Sequence, residues 1–303
     1  MAISHCRPAF GDCFVAPLLA MTNSSFTVVD YLSPRVGVRP RRMHRLALAF
    51  QFLTILPWPQ GTARHPDDMG GSMAFYPVVG AVLAMMMSGL YWLGSETFPD
   101  SVLRPALILA LVALTGGLHL DGLADVCDGF YAGKTKADVL RIMKDPHIGT
   151  MAVLGVVAGI LAKVVLLSHL PAAVFSSALL VFPALSRGGM VWGTWIASYA
   201  RTEGGTGEIF FGTLRNRHVY LATAFLSVWV VLFAGWPAVV LLTLAWVATW
   251  LFVGYCRRRI GGMTGDTLGA LNELLEILIL VAYYPLSRWH MTPAPLLSAR
   301  LPW

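Results

Sequence analysis

The chain has 303 residues, 56% hydrophobic and only 13% charged, with a net charge of +6 and a mean hydropathy of +0.66. A soluble domain carries about twice that charged fraction, which argues against a soluble enzyme and against a disordered chain. The positive balance reads as basic loops flanking membrane spans rather than as a nucleic-acid surface.

The first 42 residues read as an irregular extension ending in the basic run RVGVRPRRMHR, without the features of a signal peptide, and Met43 offers an alternative start. The segment 46–59, LALAFQFLTILPWP, is apolar but short, and Pro57 and Pro59 close it, so an interfacial or re-entrant helix is expected. Spans are expected over 72–94, 103–120, 149–170 and 172–197. Two more follow on either side of a hinge at Gly235–Pro237, and a last one covers 267–286. The fold class is therefore all-α: a polytopic membrane bundle of about seven transmembrane helices. One catalytic domain would occupy 43–290, with 291–303 as a tail. Cys6, Cys13, Cys127 and Cys256 show no zinc or redox spacing and read as incidental thiols.

Basic residues set the expected orientation. Lys134, Lys136, Arg141 and Lys144 fall in the connection 121–148, Arg201, Arg215 and Arg217 in 198–217, and Arg257 to Arg259 in 256–266. Alternating spans put all three connections on one side, which the positive-inside rule makes cytoplasmic. The expected location is the inner (cytoplasmic) membrane, with the lipid bilayer as the first partner.

The unusual stretch is GGLHLDGLADVCDGF, residues 116–130. At about 100° per residue, Asp125 and Asp128 lie some 40° ahead of and 20° behind Asp121, so the three carboxylates share one helix face beside His119. Carboxylates that close repel one another unless a cation lies between them. An oxygen-rich set of this kind suits Mg²⁺ shared with substrate phosphates. A solvated acidic helix end is the plain alternative, and it accounts for three acids on one stripe poorly.

A second acidic set, Asp266, Glu273 and Glu276, opens the last span in GGMTGDTLGALNELLEI. It reads equally well as polar helix packing or as part of the site. Between the two sets, Lys144, Asp145 and His147 precede a helix opening at Gly149–Thr150, whose free N–H groups are an expected anion site. Arg187 and Arg201 are further candidates for phosphate contact. Lys163, deep in its span, needs a partner that sequence does not identify.

Taken together, FQFLTILPWP, FYPVVGAVL, GGLHLDGLADVCDGF, IMKDPHIGTMAVLG, PALSRGGM, YARTEGGTGEIF and GGMTGDTLGALNELLE resemble the adenosylcobinamide-GDP ribazoletransferase (cobalamin synthase) family over roughly residues 46–288. The resemblance implies a Mg²⁺-dependent transferase with adenosylcobinamide-GDP and α-ribazole, or its 5′-phosphate, as substrates. Asp121, Asp125 and Asp128 would hold the metal, and His119 or Asp128 would act catalytically. Lys144, Asp145, His147, Arg187, Arg201, Asp266, Glu273 and Glu276 would line the substrate. Self-association or association with other corrinoid enzymes is left open. DVCDG also matches a fragment of the CDP-alcohol phosphotransferase pattern, but the rest of that pattern is missing. A cation transporter is the rival of another class, though its acids are expected near the midplane.

Overall fold

The computed structural model describes residues 41–57, 67–203 and 207–288. The expected extension and tail lie outside the described residues, except that Arg41 and Arg42 already belong to the first helix. That helix, α1 (Arg41–Leu53), is 13 residues long, about 20 Å and too short to cross about 30 Å of hydrocarbon. Ala47, Leu48, Ala49, Phe50 and Leu53 are buried, and Arg45 pairs with Asp68 at 3.1 Å. The segment therefore packs onto the bundle without adding a span, and it ends before Pro57.

The next elements are α2 (Asp67–Ser72), a single 3₁₀ turn and α3 (Tyr76–Gly94), which together form one apolar stretch of 28 residues. Then come α4 (Asp100–Leu114), α5 (Leu118–Ala132), α6 (Lys136–Ile142), α7 (Thr150–Ser168) and α8 (Ala172–Ile196). The chain closes with α9 (Glu208–Thr213), α10 (Asn216–Ala234), α11 (Ala238–Ile260) and α12 (Gly265–Arg288). Six stretches are long and apolar enough to cross a membrane, and there are seven if α4 and α5 count as one broken span. The expected hinge between α10 and α11 is present, with Gly235 at φ +65°.

The expected span over 103–120 is the one that differs. It breaks after Leu114, and α5 leaves α4 at 87°. Gly116 and Gly117 make the corner with φ of +60° and +71°, a left-handed conformation that costs other residues about 1–2 kcal/mol each. Beyond the corner α5 runs antiparallel to the first half of α7. Leu123 faces Gly159, Cys127 faces Gly155, and Asp128 meets Gly149 and Ala152. The acidic motif is thus not a connection outside the bundle; it forms the second helix of a pair bent sharply at Gly116–Gly117.

Helix α8 is the hub. Of its apolar window 83% is inside the protein, against 22% for α7, which faces outward. Small residues allow the close packing expected where water does not drive helices together. A Cβ on Gly80 of α3 would strike the Pro183 carbonyl and stand 2.6 Å from Ala184 Cα of α8.

The basic connections gather at one end. Arg259 donates to the Gly133 carbonyl at 3.1 Å, Lys144 reaches Glu203 at 3.3 Å and Arg215 pairs with Asp67 at 2.8 Å. At the other end Arg104 bonds Asp100 at 2.6 Å and the Leu170 carbonyl at 2.7 Å.

Gly80→Leu should destabilise the bundle by about 1–3 kcal/mol or more through overpacking. Gly89→Leu, on the same helix with open space around its Cα, should be tolerated. Thermal midpoints of the two variants in detergent, read by size-exclusion chromatography, check this; equal midpoints would contradict the packing.

Candidate active site

The site is built where α5 crosses α12. A Cβ on Gly122 would stand 2.6 Å from the Asp266 carbonyl oxygen, and one on Gly269 would be 3.3 Å from His119 Cα and 3.4 Å from Gly122 Cα. The two backbones touch, and this carries Asp121 and Asp125 to the opening turn of α12. Asp125 lies within Coulombic reach of Asp266, Asp121, Asp128 and the Arg201 guanidinium. Neither Asp121 nor Asp125 has a side-chain hydrogen bond or ion pair among the described residues.

Arg201 arrives on an extended segment that pairs with the residues preceding α12. Ala200 N–H donates to the Met263 carbonyl and Met263 N–H to the Ser198 carbonyl, both at 2.9 Å. Gly262 allows this approach, since a Cβ there would collide with the Ser198 carbonyl. Arg201 Nη2 then meets Asp266 Oδ2 at 2.7 Å, and Thr264 Oγ1 donates to the same oxygen at 3.3 Å.

Asp128 shares the stripe but has a different duty. Its two oxygens accept the N–H groups of Gly149 at 2.6 Å and Ala152 at 2.8 Å. Two of the N–H groups expected to bind a phosphate at the start of α7, those of Gly149 and Ala152, are thus taken by the protein's own carboxylate, which caps the helix and complements its dipole. One lone pair remains on each oxygen.

Beneath the aspartates lies a buried ion cluster. Lys163 Nζ is 2.7 Å from Glu273 Oε2 and 2.8 Å from Glu276 Oε2, and Arg187 Nη1 is 3.2 Å from Glu276 Oε1. Asn272 Nδ2 donates to Glu276 Oε1 at 3.1 Å. Lys163 and Glu276 are each 1% exposed. Lys163, whose partner sequence left open, has two, and the four charges balance. His119, 2% exposed, belongs here too, within Coulombic reach of Arg187, Glu276 and Lys163. Four buried polar atoms around it, Arg187 Nε and Nη2, His119 Nε2 and Asn272 Oδ1, have no protein partner among the described residues. Donors and acceptors are both present, a composition that a buried water can bridge.

The expected site residues thus divide by depth. Asp121, Asp125, Asp266 and Arg201 come together in the cleft. Glu273, Glu276, Arg187 and His119 lie below it. Lys144 bonds Glu203 at 3.3 Å and His147 bonds Asp145 at 2.6 Å, both on the exposed rim. The His147 backbone N–H and its ring hold the Asp145 carboxyl below the usual carboxylate range.

Among the described residues, no three His, Cys, Asp or Glu side chains stand close enough to hold a metal ion unaided. The cleft does offer unpaired carboxylates to a cation that takes one or two of them and completes its shell from substrate phosphates, as Mg²⁺ does.

The sequence model of one family, described as cobalamin-5-phosphate synthase, matches residues 45–284. The chain is 32% identical over 246 residues to the adenosylcobinamide-GDP ribazoletransferase of Clostridium tetani, covering 80% of this chain and 97% of that protein. The enzymes of the same name from Geotalea daltonii and Syntrophobacter fumaroxidans are 35% and 36% identical, covering 77% and 78% of this chain and 94% and 95% of theirs. No solved structure matches. These relatives favour neither the CDP-alcohol phosphotransferase nor the transporter reading.

Removing one member of the buried cluster should cost far more than neutralising a pair. Lys163→Met strands two glutamates and should destabilise by about 3–5 kcal/mol. Adding Glu273→Gln should restore part of that loss, since a single anion then faces Arg187. Unfolding midpoints of the two variants test this; no recovery in the double variant would contradict the pairing.

Proposed function

The chain belongs to the cobalamin-5-phosphate synthase family, and from that premise we propose that it joins adenosylcobinamide-GDP to α-ribazole, or to its 5′-phosphate, with release of GMP. The reading is carried by the contact of Gly122 with the Asp266 backbone, which assembles unpaired carboxylates and one arginine in a cleft at the basic end of the bundle.

The reaction exchanges a phosphoanhydride bond for a phosphate ester bond. A ribose hydroxyl oxygen bonds to the cobinamide-side phosphorus, the bond from that phosphorus to the bridging oxygen breaks, and GMP leaves with the electron pair. Positioning and charge stabilisation are what such a step requires of a protein. Mg²⁺, when bound, supplies positive charge that orients the diphosphate oxygens and offsets charge moving onto the leaving group.

Asp121 and Asp125 are the residues that would hold the ion, while Asp128 is committed to the start of α7. Arg201 offsets the carboxylate charge through Asp266 and adds a guanidinium for a phosphate oxygen. Arg141 and Lys144 raise the local concentration of a polyanion at the rim. The hydroxyl proton has the cleft carboxylates as acceptors, because His119 faces the ion cluster below.

The basic end faces the cytoplasm of a bacterial inner membrane in this reading. Lys and Arg cluster there, and the nucleotide substrates are made on that side.

The test is incubation of purified protein with adenosylcobinamide-GDP, α-ribazole and Mg²⁺, followed by corrinoid chromatography and measurement of GMP. Asp121→Asn and Asp125→Asn should each lower turnover by about 10²-fold or more, and EDTA should abolish it until Mg²⁺ is restored. Asp128→Asn should instead lower thermal stability by about 0.5–2 kcal/mol, as a weakened helix cap does. No corrinoid product from the folded wild-type protein, or full turnover in both Asn variants, would overturn the assignment.

A further inference from the structure

Helices α10 and α11 are joined by a short hinge, yet a groove of about 380 Å³ opens between them against α8. It shares no residue with the acidic cleft. Its walls include Trp192 and Trp195 of α8, Tyr220 and Thr223 of α10, and Thr243 and Trp246 of α11.

Trp246 is 5.3 Å from the Trp192 ring and 6.3 Å from the Trp195 ring, centroid to centroid. The indole N–H groups of the α8 pair are already used. Trp192 donates to Thr223 Oγ1 and Trp195 to Asn216 Oδ1, each at 2.9 Å. What the groove presents is therefore aromatic and apolar. Trp195, Tyr220 and Trp246 remain 42%, 64% and 37% exposed.

The mouth is cationic. Trp195 lies in the last turn of α8 and is tied to Asn216, the first residue of α10; the exposed Arg217 follows it in the chain and its Nε donates to His218 Nε2 at 3.2 Å. Arg257 donates to the Ile196 carbonyl at the end of α8, and Arg258 is exposed beside it. None of these three arginines forms an ion pair with a described acid. Helices α8, α10 and α11 contain no Asp or Glu at all.

We propose that this groove is a binding site for an anionic phospholipid, its acyl chain along the tryptophan wall and its phosphate headgroup at Arg217, Arg257 and Arg258. Aromatic side chains at the level of the headgroups suit the boundary between acyl chain and headgroup. Unpaired juxtamembrane arginines select negative headgroups over zwitterionic ones.

The test is tryptophan quenching by brominated acyl chains. The full chain is reconstituted in phosphatidylcholine vesicles containing a minor fraction of either brominated phosphatidylglycerol or brominated phosphatidylcholine. The anionic lipid should quench at a mole fraction lower by on the order of tenfold. Trp192→Phe/Trp246→Phe should remove most of that difference, and Arg217→Gln/Arg257→Gln/Arg258→Gln should abolish it. Quenching of the arginine variant by brominated phosphatidylcholine shows that it is still inserted. Equal quenching by the two lipids in the wild-type protein would overturn the proposal, as would a preference that survives loss of the arginines. Absence of quenching by either lipid, with Tyr220→Cys chains crosslinking to one another, would also overturn it and assign the groove to a second copy of the chain.

Discussion

The contact between Gly122 and the Asp266 backbone is the constraint on which the site depends. Helices with ordinary side chains pack with axes about 8–10 Å apart, and at that separation the aspartates of α5 and the first turn of α12 would face separate surroundings. Gly122 and Gly269 remove both Cβ atoms from the crossing. The acids converge because nothing larger than hydrogen stands between the backbones. The two segments that carry chemistry are far apart in sequence, and Gly122 and Gly269 serve this crossing rather than any local turn.

Charge inside a membrane protein is costly unless it is paired or reached by water. The structure meets that cost in a graded way from the basic end inward. On the rim, Lys144 with Glu203 and His147 with Asp145 are exposed and need little compensation. In the cleft, Asp121 and Asp125 are unpaired, and Asp266 is held by Arg201. One layer deeper, Lys163, Arg187, Glu273 and Glu276 form a neutral set that ties α7, α8 and α12 together. A buried ion set of this kind gives little net stability over an apolar core, but it strongly penalises any arrangement that separates its members. That penalty fixes the helices below the cleft while the unpaired acids above it remain available to a ligand.

Much of this was legible in the sequence, for reasons that are local. Apolar length gave the spans, and the 3.6-residue period placed Asp121, Asp125 and Asp128 on one face. What local reasoning missed depends on tertiary contact. The capping of α7 by Asp128 joins residues 21 apart through a fold in the chain, and no pattern near either announces it. Glu273 and Glu276 carry the same period as a site-lining face, yet they meet Lys163 instead of Asp121, because the crossing at Gly269 directs only the first turn of α12 to the cleft. The break at Gly116–Gly117 was visible as two glycines, but its 87° consequence was not, since glycine permits a corner without requiring one.

The sharp bend between α4 and α5 explains how a polar site can be built in so apolar a chain. A continuous helix over 103–132 would carry its aspartates out past the bundle, into water, where three carboxylates need no partner. By turning after Leu114, the chain returns the acidic segment along α7, so that His119 at its deep end meets the ion cluster and Asp128 at its outer end caps a helix. The stripe spans the boundary between water and the protein interior, with only its middle left unsatisfied by the protein. That unsatisfied middle, Asp121 and Asp125 beside Asp266 and Arg201, is what the chain leaves open to a ligand.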